Sequence, residues 1–122
     1  MKKYEDAILV DYNPTKRGSI AFNFELIVGD VVESVSVYIN MDDFHSLLGE
    51  GVNIMAMKRS LTIKELRSLI EKSGYRLYEW TSFEDKTDSF VVKTPEQWAL
   101  NTEKVADTYK RREFSLKTNY AN

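Results

Sequence analysis

The stretch RGSIAFNFELIVGDVVESVSVYIN, residues 17–40, decides the fold of this chain. Apolar and polar side chains alternate on both sides of Gly29-Asp30, as is typical of strands that bury one face. If Gly29-Asp30 forms a two-residue hairpin turn, the numbers of paired residues sum to 59. The apolar pairs are then Ile20 and Ile39, Phe22 and Val37, Phe24 and Val35, and Val28 and Val31, with Glu33 opposite Leu26. A slip of one residue would move this face into water, so the pattern predicts one register with Phe22 and Phe24 packed inward.

Further strands and helices follow on both sides of this hairpin. Strand patterns cover residues 7–12, 75–83 and 89–93, and Asn40 can cap a short helix over residues 41–48. Two capping boxes mark the other helix starts, because in each a Thr is followed three residues later by Glu or Gln. These are Thr62 with Glu65, and Thr94 with Gln97, the second with Pro95 at the first helical position. The last helix is expected to end near Arg112, and residues 52–59 suit either a strand or a helix.

These elements predict an α+β fold. We expect an antiparallel sheet of about five strands with two or three helices, and a sheet of this size can also curl into a small barrel. The sequence contains no internal repeat and no linker rich in Pro or Gly, so we expect residues 1–122 to form a single domain.

Composition excludes several classes of protein. The 122 residues are 43% hydrophobic and 30% charged, with a formal net charge of −2, which is ordinary for a globular domain and supplies no global field for nucleic acid or anionic lipid. There is no cysteine and no apolar run of about 18 residues, and the first six residues turn acidic where a signal peptide would become apolar. We therefore expect a cytoplasmic protein without disulfides or a membrane partner.

No catalytic constellation is evident. His45 is the only histidine, and no serine near it lies in a nucleophile elbow. Asp42 and Asp43 fall in the first turn of a helix, where negative charge favours the helix dipole without any further role. The acidic run over residues 84–88 lacks the ligand spacing of a calcium loop. We therefore predict a protein that is not an enzyme and that has no metal or cofactor.

The strand over residues 75–83 carries large side chains on both faces. Arg76, Tyr78 and Trp80 share one face, while Tyr75 and Leu77 share the other. Flat rings beside an arginine suit base stacking or the anchor of a protein interface. The alternative, which the pattern favours somewhat more, is that Tyr78 and Trp80 lie beneath the last helix as part of the core.

The end of the chain holds a group of cations that could contact phosphates. The candidate residues are Lys104, Lys110, Arg111 and Arg112, with Lys117 beyond them and Lys16-Arg17 and Lys58-Arg59 as additions if they lie nearby. Cations at the end of a helix also complement its dipole, and interspersed acids dilute the patch. This second explanation needs no ligand.

In its size and layout, the chain resembles small accessory proteins of Gram-positive phages and conjugative plasmids. Its Lys-rich start, the segment Ile63-Lys64-Glu65-Leu66 and the segment Thr94-Pro95-Glu96-Gln97-Trp98 carry this resemblance. Within that group it is similar to PrgU-type regulators of enterococcal pheromone-responsive plasmids. The resemblance implies a PUA-like small barrel, a cytoplasmic location and an RNA-linked role in restraining the expression of transfer genes.

The sequence therefore favours two alternative functions, and in both the protein acts by binding another macromolecule. The preferred one is a regulatory protein of a mobile genetic element that binds RNA, with RNA favoured over DNA because exposed aromatic rings suit single strands. The alternative is an inhibitor or adaptor that binds a protein, such as a phage protein directed against a host defence. Binding to phosphates weakens steeply as salt rises, whereas an interface anchored by aromatic rings does not.

Overall fold

The computed structural model describes residues 2–57, 60–81 and 88–100. It contains five strands, which are β1 (Ile8–Pro14), β2 (Ser19–Val28), β3 (Val31–Asn40), β4 (Arg76–Thr81) and β5 (Asp88–Lys93). The helices are α1 (Met41–Gly49), α2 (Ile63–Glu71) and α3, which begins after Thr94 and is described over residues 95–100. Single 3₁₀ turns lie at Lys2–Tyr4 and Met55–Met57. The α+β class is confirmed.

The five strands form one sheet in the order β1-β2-β3-β5-β4. Three of the four pairings are antiparallel, and β3 pairs with β5 in parallel. The sheet is therefore mixed, whereas the sequence pattern predicts an antiparallel one. A parallel pair needs a long connection, and here α1, α2 and β4 provide it. In the part of the chain that is described, β1 and β4 do not pair with each other, so the sheet is not closed into a barrel.

The β2–β3 hairpin has the predicted register. Phe22 pairs with Val37, Phe24 with Val35 and Val28 with Val31, and the turn places Gly29 at a φ of 63°. Glycine adopts this left-handed conformation without steric cost. Six side chains along the inner face are buried, namely Ile20, Phe22, Phe24, Val35, Val37 and Ile39. The predicted inward packing is thus confirmed for this part of the hairpin.

The inward packing stops near the hairpin turn. Val28 is 51% exposed and Val31 is 60% exposed, although they belong to the same alternating pattern as Phe22. The predicted register therefore continues to the turn, but the burial of its apolar face does not. The pairing with β1 reaches only Glu25, and the described pairing with β5 begins at Ser36, so the strands extend beyond their neighbours.

The helices begin at the predicted caps, and α1 and α2 cover the inner face of the sheet. Asn40 accepts a hydrogen bond from the Asp42 backbone at 2.9 Å, and Thr62 and Glu65 form the reciprocal bonds of a capping box. Leu47 of α1 and Leu66 of α2 are fully buried in the same core as Phe22. The segment before α2 also pairs with the outer edge of β1, where Leu9 donates to the Leu61 carbonyl at 2.9 Å.

Residues 52–57, which the sequence leaves ambiguous, form a loop and a 3₁₀ turn with Ile54 fully buried. Among the described residues, no helix is long and apolar enough to cross a membrane.

Candidate functional site

The face of the sheet opposite the core, here called the outer face, carries the predicted aromatic residues. Tyr38, Val91 and Tyr78 lie in one row across β3, β5 and β4. Trp80 lies two residues beyond Tyr78 on the same side, about 7 Å further along the strand. Neighbouring strands are about 4.8 Å apart, which places Tyr38 and Tyr78 on the order of 10 Å from each other. All four side chains are half-buried, so the outer face presents rings that are partly accessible.

Cations lie at the end of the outer face where β3 and β5 finish. Arg76 pairs with Lys93 in register, so both side chains are directed to the same side. Arg76 is exposed and donates from Nη1 to its neighbour's carbonyl, Tyr75 O, at 2.8 Å, and Lys93 is half-buried. Lys93 was not among the residues selected from the sequence. Its register opposite Arg76 follows only once the β4–β5 pairing is known.

The turn between β1 and β2 brings two more cations to this end of the sheet. Ser19 pairs with Asn40 at the end of β3, and Met41 donates to the Gly18 carbonyl at 3.0 Å. Lys16 and Arg17 in this turn are both exposed. We call the end of the sheet that holds these four cations (Lys16, Arg17, Arg76 and Lys93) the basic end. Exposed Asp42 and Glu96 also lie near it, at the starts of α1 and α3.

Tyr78 is stacked on the first turns of α3. The ring centroids of Tyr78 and Trp98 are 4.5 Å apart, and the two ring planes differ by 6°. The alternative in which the last helix covers this part of the strand is thus correct for Tyr78. Trp80 is half-buried and also has contacts of its own. Both aromatic side chains therefore combine a covered and an accessible part.

A buried carboxyl group ties α1, β4 and α3 together. Asp43 is 7% exposed, and its Oδ1 accepts from the Tyr75 hydroxyl at 3.2 Å and from Gln97 Nε2 at 3.0 Å. Burial, together with the neighbouring Asp43, raises the pKa of Tyr75 above its usual 10. Asp43 lies in the first turn of α1, as the sequence predicts, but its burial and its two side-chain partners are not indicated by the sequence. The parallel β3–β5 pairing sets the starts of α1 and α3 side by side, which brings Asp43 and Gln97 together.

A polar row crosses the other half of the outer face. Asn23 donates to Asp11 at 2.6 Å, and Ser36 donates to the side-chain oxygen of Asn23 at 2.7 Å. Ser89 follows in register and donates to the Trp80 carbonyl at 3.0 Å. The outer face is therefore basic and aromatic along β4 and β5 and polar to acidic towards β1.

The remaining candidate residues lie either outside the described residues or elsewhere in the fold. Lys104, Lys110, Arg111, Arg112 and Lys117 lie outside the described residues, as do Lys58 and Arg59. His45 is exposed on α1, with its ring 6.3 Å from that of Phe44. A cavity of about 500 Å³ lies beside α2, lined by Met57, Leu61, Lys64, Glu65 and Leu69 among others, and its lining does not include His45 or Asp43.

Within the described ranges, no group of three or more His, Asp or Glu residues could hold a metal ion.

A second accessible surface is the tip of the β2–β3 hairpin. Ile27 is 74% exposed, and Val28, Val31 and Val32 are each more than half exposed. Ile27 and Val32 are paired on the outer side, and Val28 and Val31 are paired on the inner side. The hairpin tip, defined by these four residues, lies at the end of the sheet opposite the basic end. Exposed apolar side chains that cluster in this way mark contact surfaces more often than scattered ones do.

Comparisons with protein-family models, with curated proteins and with solved structures gave no match to this chain. Its resemblance to small plasmid regulators stays a prediction, and any function has to be argued from the residues themselves.

Proposed function

We propose that this protein is a non-enzymatic regulator that binds single-stranded RNA on the outer face of its sheet, along β4 and β5. The observation that carries the proposal is the common placement of Tyr78, Trp80, Arg76 and Lys93 on one side of two paired strands. Aromatic rings on a sheet can stack on bases, and adjacent Arg and Lys side chains can neutralise the phosphates between them. A cysteine-free chain is suited to a reducing cytoplasm, where we propose that it restrains the expression of transfer genes of a mobile element.

Charge supports RNA contact at the basic end rather than over the whole molecule. The formal net charge is −2, so the four cations of the basic end have to act locally. The row that ends in Asp11 would repel phosphates, which limits a strand of RNA to the half of the outer face nearer β4. A short site of this kind holds few nucleotides and is expected to bind weakly unless salt is low.

The proposal is tested by fluorescence polarisation of a labelled uridine dodecamer at 50 and 200 mM salt. We expect binding at 50 mM that weakens at 200 mM, and a loss on the order of 3- to 10-fold for Arg76→Ala with a shallower salt dependence. Lys72→Ala is the matched control, because it removes an exposed cation at the end of α2, on the core side of the sheet. Absence of binding at 50 mM, or equal losses in both variants, would contradict the proposal.

A second function has its own observation in the hairpin tip. Four clustered aliphatic side chains that are each more than half exposed suit a protein partner better than RNA. This corresponds to the inhibitor or adaptor alternative. In a pull-down from native cytoplasm with nuclease added, a protein retained by the wild type and lost with the Ile27→Ser/Val32→Ser double variant would favour this function over RNA binding. Retention of the same protein by both the wild type and the double variant would count against the tip.

A further inference from the structure

Trp98 occupies a place on the outer face that a nucleobase would take. Its indole lies parallel to the Tyr78 ring, with 4.5 Å between centroids and 6° between planes. Bases stack on aromatic side chains in this same parallel arrangement. Tyr78 therefore already has, from within its own chain, the kind of partner that the proposed RNA site would require.

The start of α3 is positioned by few side chains. In the capping box, Gln97 Oε1 accepts from the Thr94 backbone N–H at 2.8 Å, and the Gln97 backbone N–H donates to Thr94 Oγ1 at 3.1 Å. Gln97 Nε2 also donates to Asp43 Oδ1 at 3.0 Å. Pro95, Glu96, Ala99 and Leu100 are exposed, with Leu100 66% exposed. In the described part of α3, Gln97 and Trp98 are thus the side chains that bind other elements, Gln97 through its hydrogen bond to Asp43 of α1 and Trp98 through its stack on Tyr78 of β4.

We propose that α3 is a clasp that occludes the RNA site, with Trp98 stacked on Tyr78 until a base displaces it. This inference rests on the proposed RNA binding and adds its regulation. When a base takes the place of Trp98, the Tyr78 ring keeps a stacked partner, and the cost of the exchange is the release of the indole. Asp43 sets the strength of the clasp through Gln97, since Asp43 is buried and the same Oδ1 that accepts from Gln97 also accepts from the Tyr75 hydroxyl.

The clasp predicts that removal of the indole makes RNA bind more tightly. In polarisation titrations of the labelled uridine dodecamer at 50 mM salt, we expect Trp98→Ala to lower the Kd on the order of 2- to 10-fold, the size of one aromatic pair. Trp98→Phe keeps a ring on Tyr78 and is expected to bind close to the wild type. Gln97→Ala loosens the clasp without removing the ring and should act in the same direction by a smaller factor.

Two further variants separate the clasp from other causes. Leu100→Ala removes an exposed apolar side chain from the same helix and should leave the Kd unchanged. Tyr78→Ala removes the stacking surface, so it should weaken binding, and Trp98→Ala should then give no gain in the double variant. Circular dichroism and denaturant unfolding of each variant establish that it is folded before the Kd values are compared.

The possible failures are distinguishable. If neither the wild type nor Trp98→Ala binds the dodecamer, RNA binding itself is refuted and the clasp with it. If the wild type binds and Trp98→Ala binds equally or less tightly, RNA binding stands and the clasp is overturned. A gain with Trp98→Ala that also occurs with Leu100→Ala would overturn the clasp as well, because the effect would then not depend on the stack.

Discussion

The two halves of the β2–β3 hairpin share one alternating pattern and have opposite surroundings. At the base, Phe22 and Val37 are fully buried, whereas at the tip Val28 and Val31 are more than half exposed. The base lies between β1 and β5 and under α1 and α2, and among the described residues the tip extends beyond the pairing with either neighbour. The difference teaches that alternation determines the register of a strand, while burial depends on what the rest of the chain places over it.

The largest effect is expected at the base of the hairpin. Phe22→Ala should lower the free energy of unfolding by about 3–5 kcal/mol, because it removes a fully buried ring that also contacts Tyr12 and Phe44. Urea unfolding followed by circular dichroism measures this loss. Val31→Ala is the control at the other end of the same ribbon and should change stability by at most about 0.5 kcal/mol. Similar losses in both variants would remove the distinction between base and tip.

The turn that joins the two strands gives an intermediate effect. Gly29 has a φ of 63°, so Gly29→Ala forces a side chain into the left-handed region and should cost about 1–2 kcal/mol. A Cβ at this position would meet no atom within 4 Å, so the cost comes from backbone conformation and not from a clash. Gly29→Asn should cost less, since Asn tolerates this conformation better. An alanine variant as stable as the wild type would show that the tip relaxes freely.

The sequence predicts local features well because neighbouring residues determine them. The hairpin register follows from the spacing around Gly29, and both capping boxes follow from residues three positions apart. Arg76, Tyr78 and Trp80 share a face because strand side chains alternate. Each of these features is decided within one hairpin or one helical turn.

Features that depend on contacts distant in sequence were missed. The parallel pairing of β3 with β5 joins residues about 50 positions apart, and no local pattern in either strand encodes it. The burial of Asp43 beside Gln97 follows from that pairing. The cover of Tyr78 by the last helix follows from it too, and the sequence offers this only as one of two alternatives. The capping box already accounts for a polar residue at Gln97. Nothing in the sequence therefore indicates that its side chain also bonds to Asp43.

The buried hydrogen bond at the basic end gives a smaller effect that depends on pH. The raised pKa of Tyr75 favours its neutral form in the folded protein. Its contribution to the free energy of unfolding is therefore fully present below pH 10. It is lost as the pH rises from about 10 through the folded-state pKa, because the unfolded chain releases the proton first. Tyr75→Phe should cost about 1 kcal/mol at pH 8 through the lost bond to Asp43.

Unfolding measured from pH 8 to 11 should therefore show the wild type and Tyr75→Phe converging at the alkaline end. The hydrogen bond to Glu33 also raises the pKa of Lys3, so Lys3 changes the stability of both proteins over the same pH range. The effect of Tyr75 is therefore the difference in stability between the wild type and Tyr75→Phe at each pH. A stability difference that stays constant over this range would contradict the role of Tyr75 ionisation.

The smallest effect on stability is expected at the hairpin tip, where a small effect is itself informative. Ile27→Ser and Val32→Ser should each change the free energy of unfolding by at most about 0.5 kcal/mol, because the two side chains are 74% and 55% exposed. Denaturant unfolding of the two variants beside Phe22→Ala measures both ends of the comparison in one series. A loss near that of Phe22→Ala would mean that the tip is covered in solution. If stability is unchanged, these exposed aliphatic side chains do not contribute to folding. Binding to a partner would then explain them better than stability does.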